Sequence, residues 1–272
     1  MNTYKVSFAI VAILIMGFIT SCDKEIDSEL SSKLPKEVTT KIDQLIESKM
    51  QANNLPSVVV GIWIPGEGNY LQSFGKANLE TGVDRQFETP FRIASITKTF
   101  TATVILSLVD AGSLKTSDSL SMYLPKFPNA ENITIRNLLR MRSGIADFAD
   151  SVILDEWYKD VYKNYNLDTL IDIMASHSND FSEPGKKTVY CNGNYVILAK
   201  VAEIVSGNDF ISLVNDKVFK PLKLTTTSYP KPTNYRLHSG NRGYSWNSLE
   251  KSFIDKTELN TSCANAAGAI IS

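Results

Sequence analysis

Ser95 and Lys98 stand three residues apart in the segment Phe91-Arg-Ile-Ala-Ser95-Ile-Thr-Lys98-Thr-Phe100. The chain continues into Thr101-Ala-Thr-Val-Ile-Leu-Ser-Leu-Val109, so the segment reads as a short loop that enters a strongly apolar helix at the serine. One helical turn separates the two side chains, which puts a hydroxyl beside an amine. Partial burial and the positive end of the helix dipole both disfavour a charged ammonium there. A neutral amine in that place takes the serine proton and makes a nucleophile of a weak hydroxyl. The same four letters also describe an N-cap serine followed by a surface lysine, so the pair needs support from the rest of the chain.

Such a pair needs a group that relays the proton to the leaving atom, and donors for the developing oxyanion. Tyr190 and Asn192 are two apart in Val189-Tyr-Cys-Asn192, an extended piece, and therefore point to the same side. A tyrosine near a lysine serves as acid or base, and an asparagine holds the lysine or a substrate amide. Cys191 between them is expected to point away as a spacer. The pair follows the turn Phe181-Ser-Glu-Pro-Gly185 and precedes a helix, a setting that presents side chains at a cleft edge.

The elements that must position these residues are mostly helical. Val38, Ile42, Leu45, Ile46 and Met50 recur at helical spacing, which predicts an amphipathic helix over 35–50 with one core-facing stripe. The β-branched run Ser57–Ile64, the turn Pro65-Gly-Glu-Gly68 and a second run from Tyr70 predict a hairpin. The nucleophile helix ends near Asp110, with Gly112 as its C-terminal cap. A helix over 133–141 is pinned by Thr134 and ended by Ser143-Gly144; another covers 167–174. An apolar helix over 194–205 is capped by Ser206-Gly207, and a further one runs over 210–218. Beyond Tyr229 the chain reads as polar loop, until the apolar stretch Ala266–Ser272. That stretch looks like the middle of an element, and two strands alone make a marginal sheet, so the chain reads as cut short at its C-terminal end.

Composition sets outer bounds. With 272 residues, 43% apolar and a net charge of -1, this is a globular chain with a sizeable core and no electrostatic footprint for nucleic acid. Met1–Lys5 is a short positive region, Val6–Phe18 an apolar stretch, and Ile19-Thr-Ser-Cys22 a small-residue close before a cysteine. This reads as a secretory leader over 1–21, removed from the mature chain. Its ending resembles the lipobox of bacterial lipoproteins, which would make Cys22 the lipidation site; an ordinary signal peptide is the alternative. Residues 22–33 are polar and suit a flexible tether. Cys191 and Cys263 remain and are enough for one disulfide in an oxidising compartment, but not for a disulfide framework. No His/Cys/Asp cluster has metal-ligand spacing, so neither a metal nor a cofactor is expected.

Taken in order, Ser95-Ile-Thr-Lys98, the stretch Ile133–Gly144 and Phe181–Gly185 ahead of Tyr190-Cys-Asn192 resemble the serine β-lactamase and penicillin-binding family. The match is to the branch with class C β-lactamases, D-alanyl-D-alanine carboxypeptidases and related esterases, and S-x-x-K is a signature of that superfamily. The resemblance covers residues 34–272. It implies an α/β (α+β) fold of the β-lactamase/transpeptidase type, a helical region plus an antiparallel sheet whose last strands would lie beyond Ser272. It implies Ser95 as the acylated nucleophile, Lys98 as its proton acceptor, Tyr190 as the relay to the leaving group and Asn192 as a contact to the substrate amide. The Ser95 backbone N–H would be one half of the oxyanion hole. The family's third motif, K-T-G or H-x-G, follows an Ala-Gly-Gly-like segment, which Ala267-Gly268-Ala269 resembles; His238-Ser-Gly240 has the letters of that motif but precedes the segment.

The expected function is a serine hydrolase that forms an acyl-enzyme on a β-lactam, a D-Ala-D-Ala peptide or a small ester, with activity dependent on the missing part. The expected setting is a lipid-anchored monomer of the bacterial cell envelope, with a small molecule or cell-wall peptide as substrate. The alternative is a non-catalytic surface-binding lipoprotein on the same scaffold.

Overall fold

The structure, a computed structural model, describes residues 33–149, 159–178, 181–231 and 241–272. The leader, the tether up to residue 32, the proposed lipidation site Cys22 and the His238–Gly240 letters lie outside the described residues. The chain divides into two compact units after Glu88.

In the first unit, helix α1 (Lys36–Asn53) precedes strands β1 (Ser57–Ile64) and β2 (Gly68–Gly75). The strands pair antiparallel with Ile64 opposite Gly68, and Gly66 takes the left-handed φ of 76° that the three-residue turn requires. Helix α1 forms as its periodicity predicts, and of the expected stripe Ile42, Ile46 and Met50 are half-buried. None of its residues is buried, and Val38 and Leu45 are exposed. A two-stranded hairpin has too little surface to close over an 18-residue helix. The helix is also tied to the hairpin by the Tyr70 phenol, which donates to Asp43 at 2.5 Å.

The second unit carries the core. Helix α2 (Thr97–Asp110) follows a single 3-10 turn, Ala94–Ile96. After it come the short α3 (Ile135–Leu139), α4 (Leu167–Ser176), α5 (Gly193–Ser206) and α6 (Phe210–Val214), which continues as a π-helical turn over Asn215–Phe219. Local chemistry sets the ends. Thr134 and Asn137 form a capping box at α3, Asn166 caps α4 and Asp209 caps α6. Gly112 and Gly207 take the left-handed conformation just past α2 and α5. Helix α5 is apolar nearly all round and lies at the centre of the core, with nine of its fourteen residues buried. Val104, Ile105 and Leu108 of α2 and Leu170 and Met174 of α4 are buried in the same cluster.

One element departs from expectation. Strands β3 (Tyr244–Asn247) and β4 (Ser252–Asp255) form a second antiparallel hairpin where the sequence reads as loop. Its strands are only four residues long, too short for alternation to stand out among polar residues. The two remaining cysteines are free and buried rather than paired. The result is an α+β fold, a helical core with small antiparallel sheets. Among the described residues no helix is long and apolar enough to cross a membrane.

Candidate active site

All four site residues expected from the sequence come together in the second unit. Ser95 lies in the 3-10 turn rather than in α2 itself, and its side chain is exposed. Ala94 before it has φ 46°, a left-handed conformation that costs a residue with a Cβ about 1–3 kcal/mol. The surrounding contacts hold that turn in place. On one side Phe91 and Ser272 exchange both backbone hydrogen bonds at 3.0 Å, and the Ile93 N–H donates to the Ile270 carbonyl at 3.1 Å. On another, the Arg92 guanidinium donates to the carbonyls of Lys256, Thr257 and Leu259 at 2.6–2.8 Å, clamping the chain just after β4.

Lys98, one turn on, is 7% exposed. Its Nζ lies 3.1 Å from Ser95 Oγ, 2.8 Å from Asn192 Oδ1 and 2.8 Å from the Ala267 carbonyl. The Tyr190 phenol donates to Ser95 Oγ at 2.7 Å, and its ring lies 4.7 Å from Lys98 Nζ. The Tyr195 ring stands behind at 5.9 Å; burial pushes its phenol up, so it is a neutral wall.

Two sets of contacts deliver these partners. The first is a row of side chains on the opening turns of α2. Thr97 Oγ1 accepts from the Ile270 N–H at 3.1 Å, Lys98 donates to the Ala267 carbonyl, and Thr101 Oγ1 donates to the Ala266 carbonyl at 2.7 Å. Thr97, Lys98 and Thr101 therefore fasten residues 266–270 along the helix. Gly268 lies within this run, where a Cβ would come 2.9 Å from the Cβ of Ala264. The second set presents Tyr190. Ser182 donates to the Gly144 carbonyl, Gly185 to that of Arg142 and Val189 to that of Met141, all at 2.8–2.9 Å. Gly144 has φ 78° and a Cβ there would meet the Ser182 carbonyl oxygen at 2.1 Å, so this approach requires glycine.

Tyr190 and Asn192 face the same side, and Cys191 between them is 2% exposed, as a spacer turned inward would be. Burial first, then Asp147, pushes its thiol up to about 12, which keeps it protonated and unreactive. Three contributors escaped the sequence reading. Asp147 Oδ2 accepts from the Asn192 N–H at 3.1 Å and from Asn192 Nδ2 at 2.8 Å. Nothing marks it in the sequence except a position in a polar loop. The Ala267 carbonyl, by contrast, lies in the Ala267-Gly268-Ala269 segment that the sequence already marks. Thr97 and Thr101 read as ordinary helix polar residues.

The chemistry follows from counting hydrogens. Asn192 Oδ1 and the Ala267 carbonyl can only accept. An ammonium at Lys98 places one proton on each of its three partners. A neutral amine gives its two protons to the two obligate acceptors, which leaves its lone pair directed at the Ser95 hydroxyl. With a neutral amine the arrangement can pass a proton from Ser95 to Lys98.

The chain is similar in sequence and fold to proteins of one family. The family model described as Beta-lactamase matches residues 42–256. The chain is 29% identical over 229 residues to the teichoic acid D-alanine hydrolase of Staphylococcus aureus (strain MRSA252), covering 84% of this chain and 53% of that protein. It superposes on a D-stereospecific amidohydrolase from Streptomyces sp. with TM-score 0.72 at 29% identity, covering 82% of this chain and 66% of the other. It superposes on the octameric penicillin-binding protein homologue from Pyrococcus abyssi with TM-score 0.74 at 26% identity, covering 86% and 53%. The chain spans about half the length of the curated relatives it matches.

Proposed function

The chain belongs to the Beta-lactamase family, and from that premise we propose that it is a serine hydrolase whose acyl-enzyme forms on Ser95. The observation that carries the reading is the Lys98 amine held between two obligate acceptors and the Ser95 hydroxyl, all within 3.1 Å. A binding surface has no use for a lysine buried in that way beside a serine.

In the proposed reaction Ser95 Oγ attacks the substrate carbonyl carbon while its proton passes to Lys98. The Ser95 backbone N–H stabilises the oxyanion, in the role the family resemblance implies. As the carbon–nitrogen or carbon–oxygen bond breaks, the proton returns from Lys98 through the Tyr190 phenol to the leaving atom. Water then attacks the acyl carbon; its proton goes to Tyr190 as the phenol's own proton passes to Lys98. When the acyl carbon–oxygen bond breaks, Lys98 returns that proton to Ser95 Oγ, freeing the acid and the serine hydroxyl. An amide NH2 carries two donors; one of Asn192's goes to Asp147 and the other serves a substrate carbonyl.

The substrate class we propose is an ester or amide whose acyl part is a D-amino acid. Support comes from the chemistry named for two relatives, D-alanine removal from teichoic acid and D-stereospecific amide hydrolysis. Residues 34–272 form the hydrolase part, and Cys22 anchors the protein as a monomer at the cell envelope.

The test is covalent labelling. The full-length protein should react with a fluorophosphonate or a fluorescent β-lactam, and the adduct should map to Ser95. Labelling that persists in Ser95→Ala rejects the nucleophile. A folded protein that takes neither probe points to the surface-binding lipoprotein instead.

A further inference from the structure

The carboxylate of Asp147 is held at both ends. Oδ1 accepts from the Ala149 N–H at 3.3 Å, a local turn that fixes the side chain, and Oδ2 accepts both the backbone and the side-chain N–H of Asn192. The second of these contacts bears on Lys98. A side-chain amide has two faces of nearly equal shape and opposite hydrogen-bonding character. With Nδ2 on Asp147, Oδ1 must face Lys98, as its 2.8 Å contact shows. With the amide turned over, Oδ1 would meet the carboxylate, acceptor against acceptor, and Nδ2 would meet Lys98 Nζ.

We infer that Asp147 is a positioning residue: it fixes the orientation of the Asn192 amide, and through it keeps the side of Lys98 Nζ that faces Ser95 open to receive the serine proton. This rests on the acyl-enzyme reading above. The reason lies in what a turned amide would do. Nδ2 would donate to the amine, and the lone pair that should take the Ser95 proton would be occupied by Asn192. The Ala267 carbonyl is backbone and cannot turn over, so of the two acceptors Asn192 alone can be reversed. Asp147 does not touch Ser95 or Tyr190 in any contact described here, and it acts only through Asn192.

The experiment measures Ser95 acylation by the fluorophosphonate, separating the limiting rate from probe affinity. Removing a charge-assisted acceptor of this kind is expected to lower the limiting rate about 10–100-fold in Asp147→Ala. Affinity for the probe should stay within about 2-fold, because no substrate contact is lost. In Asp147→Asn the carboxamide oxygen still accepts both Asn192 donors, at the expense of the weaker Ala149 contact, and the rate should recover to within about 5-fold of the parent. If Asp147→Ala fails to fold, Asp147→Ser replaces it, since its hydroxyl keeps the turn to Ala149 but is too short to hold the Asn192 amide. A rate in Asp147→Ala or Asp147→Ser within 2-fold of the parent overturns the inference. So does an Asp147→Asn protein as slow as Asp147→Ala, which would make charge, not orientation, the cause.

A second readout does not depend on turnover. The side-chain amide protons of Asn192, assigned by their loss in Asn192→Asp, should exchange slowly in the parent and rapidly in Asp147→Ala. Equal exchange in both overturns the positioning role. A parent protein that takes no probe overturns the acyl-enzyme reading, and the exchange measurement still decides whether Asp147 orients Asn192.

Discussion

Tyr190→Phe separates the two tasks assigned to this side chain. The substitution removes only the hydroxyl that donates to Ser95 Oγ at 2.7 Å and keeps the ring 4.7 Å from Lys98 Nζ. Tyr190 is 56% exposed, so the fold should be indifferent, with a stability change within about 0.5 kcal/mol. The catalytic effect should depend on the leaving group. A nitrophenyl ester expels an anion that needs no proton, and the variant then loses only a hydrogen bond to the nucleophile. A net worth of about 0.5–1.5 kcal/mol corresponds to a rate lower by roughly 2–13-fold. An amide must be protonated as its carbon–nitrogen bond breaks, and loss of a general acid costs about 10²–10⁴-fold. The assay compares kcat/KM of parent and variant on a D-alanyl nitrophenyl ester and a D-alanyl amide carrying the same acyl group. An equal fall on both substrates refutes Tyr190 as proton donor to the leaving atom, whatever the size of the fall.

Two further predictions concern the frame. Thr101→Val deletes a hydroxyl that is fully buried and donates to the Ala266 carbonyl at 2.7 Å, leaving that carbonyl without this donor. It should cost about 1–3 kcal/mol in a denaturant titration, and an unchanged midpoint would mean that residues 266–270 are held without the helix. Burial pushes the thiols of Cys191 and Cys263 up to about 12 from an ordinary 9.0. The folded chain keeps protons that the unfolded chain has already released, so this contribution is intact below pH 9 and lost as pH rises from 9 toward 12. Iodoacetamide at pH 8 should therefore modify neither thiol until denaturant is added, and rapid modification of the folded protein would contradict their burial.

How far the sequence reaches depends on whether a feature is local. Ser95 and Lys98 are legible because one helical turn relates them, and Tyr190 and Asn192 because the period of an extended segment does. Both relations are written in spacing. The helices of the core were legible for the same reason, down to their Thr134, Gly112 and Gly207 caps. Asp147 was not, because its partner lies 45 residues away and any acid in a polar loop looks the same. The β3–β4 hairpin was missed because four-residue strands carry too few alternations to be told from loop. The partly covered stripe of α1, with Val38 and Leu45 exposed, shows the converse: periodicity predicts a helix, but how far its apolar face is covered depends on partners that periodicity does not see.

The Lys98 site also accounts for features that would otherwise look unrelated. Thr97 and Thr101 are unremarkable as a sequence, yet they, like Lys98, each make a hydrogen bond to residues 266–270. The helix that begins just after the nucleophile thereby fixes the carbonyl that orients the base. The same segment accepts from the Ile93 N–H at the Ile270 carbonyl and exchanges hydrogen bonds with Phe91 at Ser272, and both contacts lead into the left-handed Ala94. Ser95 is therefore reached from both directions by one segment, through α2 on the C-terminal side and through backbone pairing on the N-terminal side. A turn costing about 1–3 kcal/mol at Ala94 persists only where its surroundings over-determine it, and this loop of contacts does so. The consequence is that Ser95 and Lys98 are not independently placed: residues 266–272 contact both the Lys98 amine and the backbone leading into the Ser95 turn.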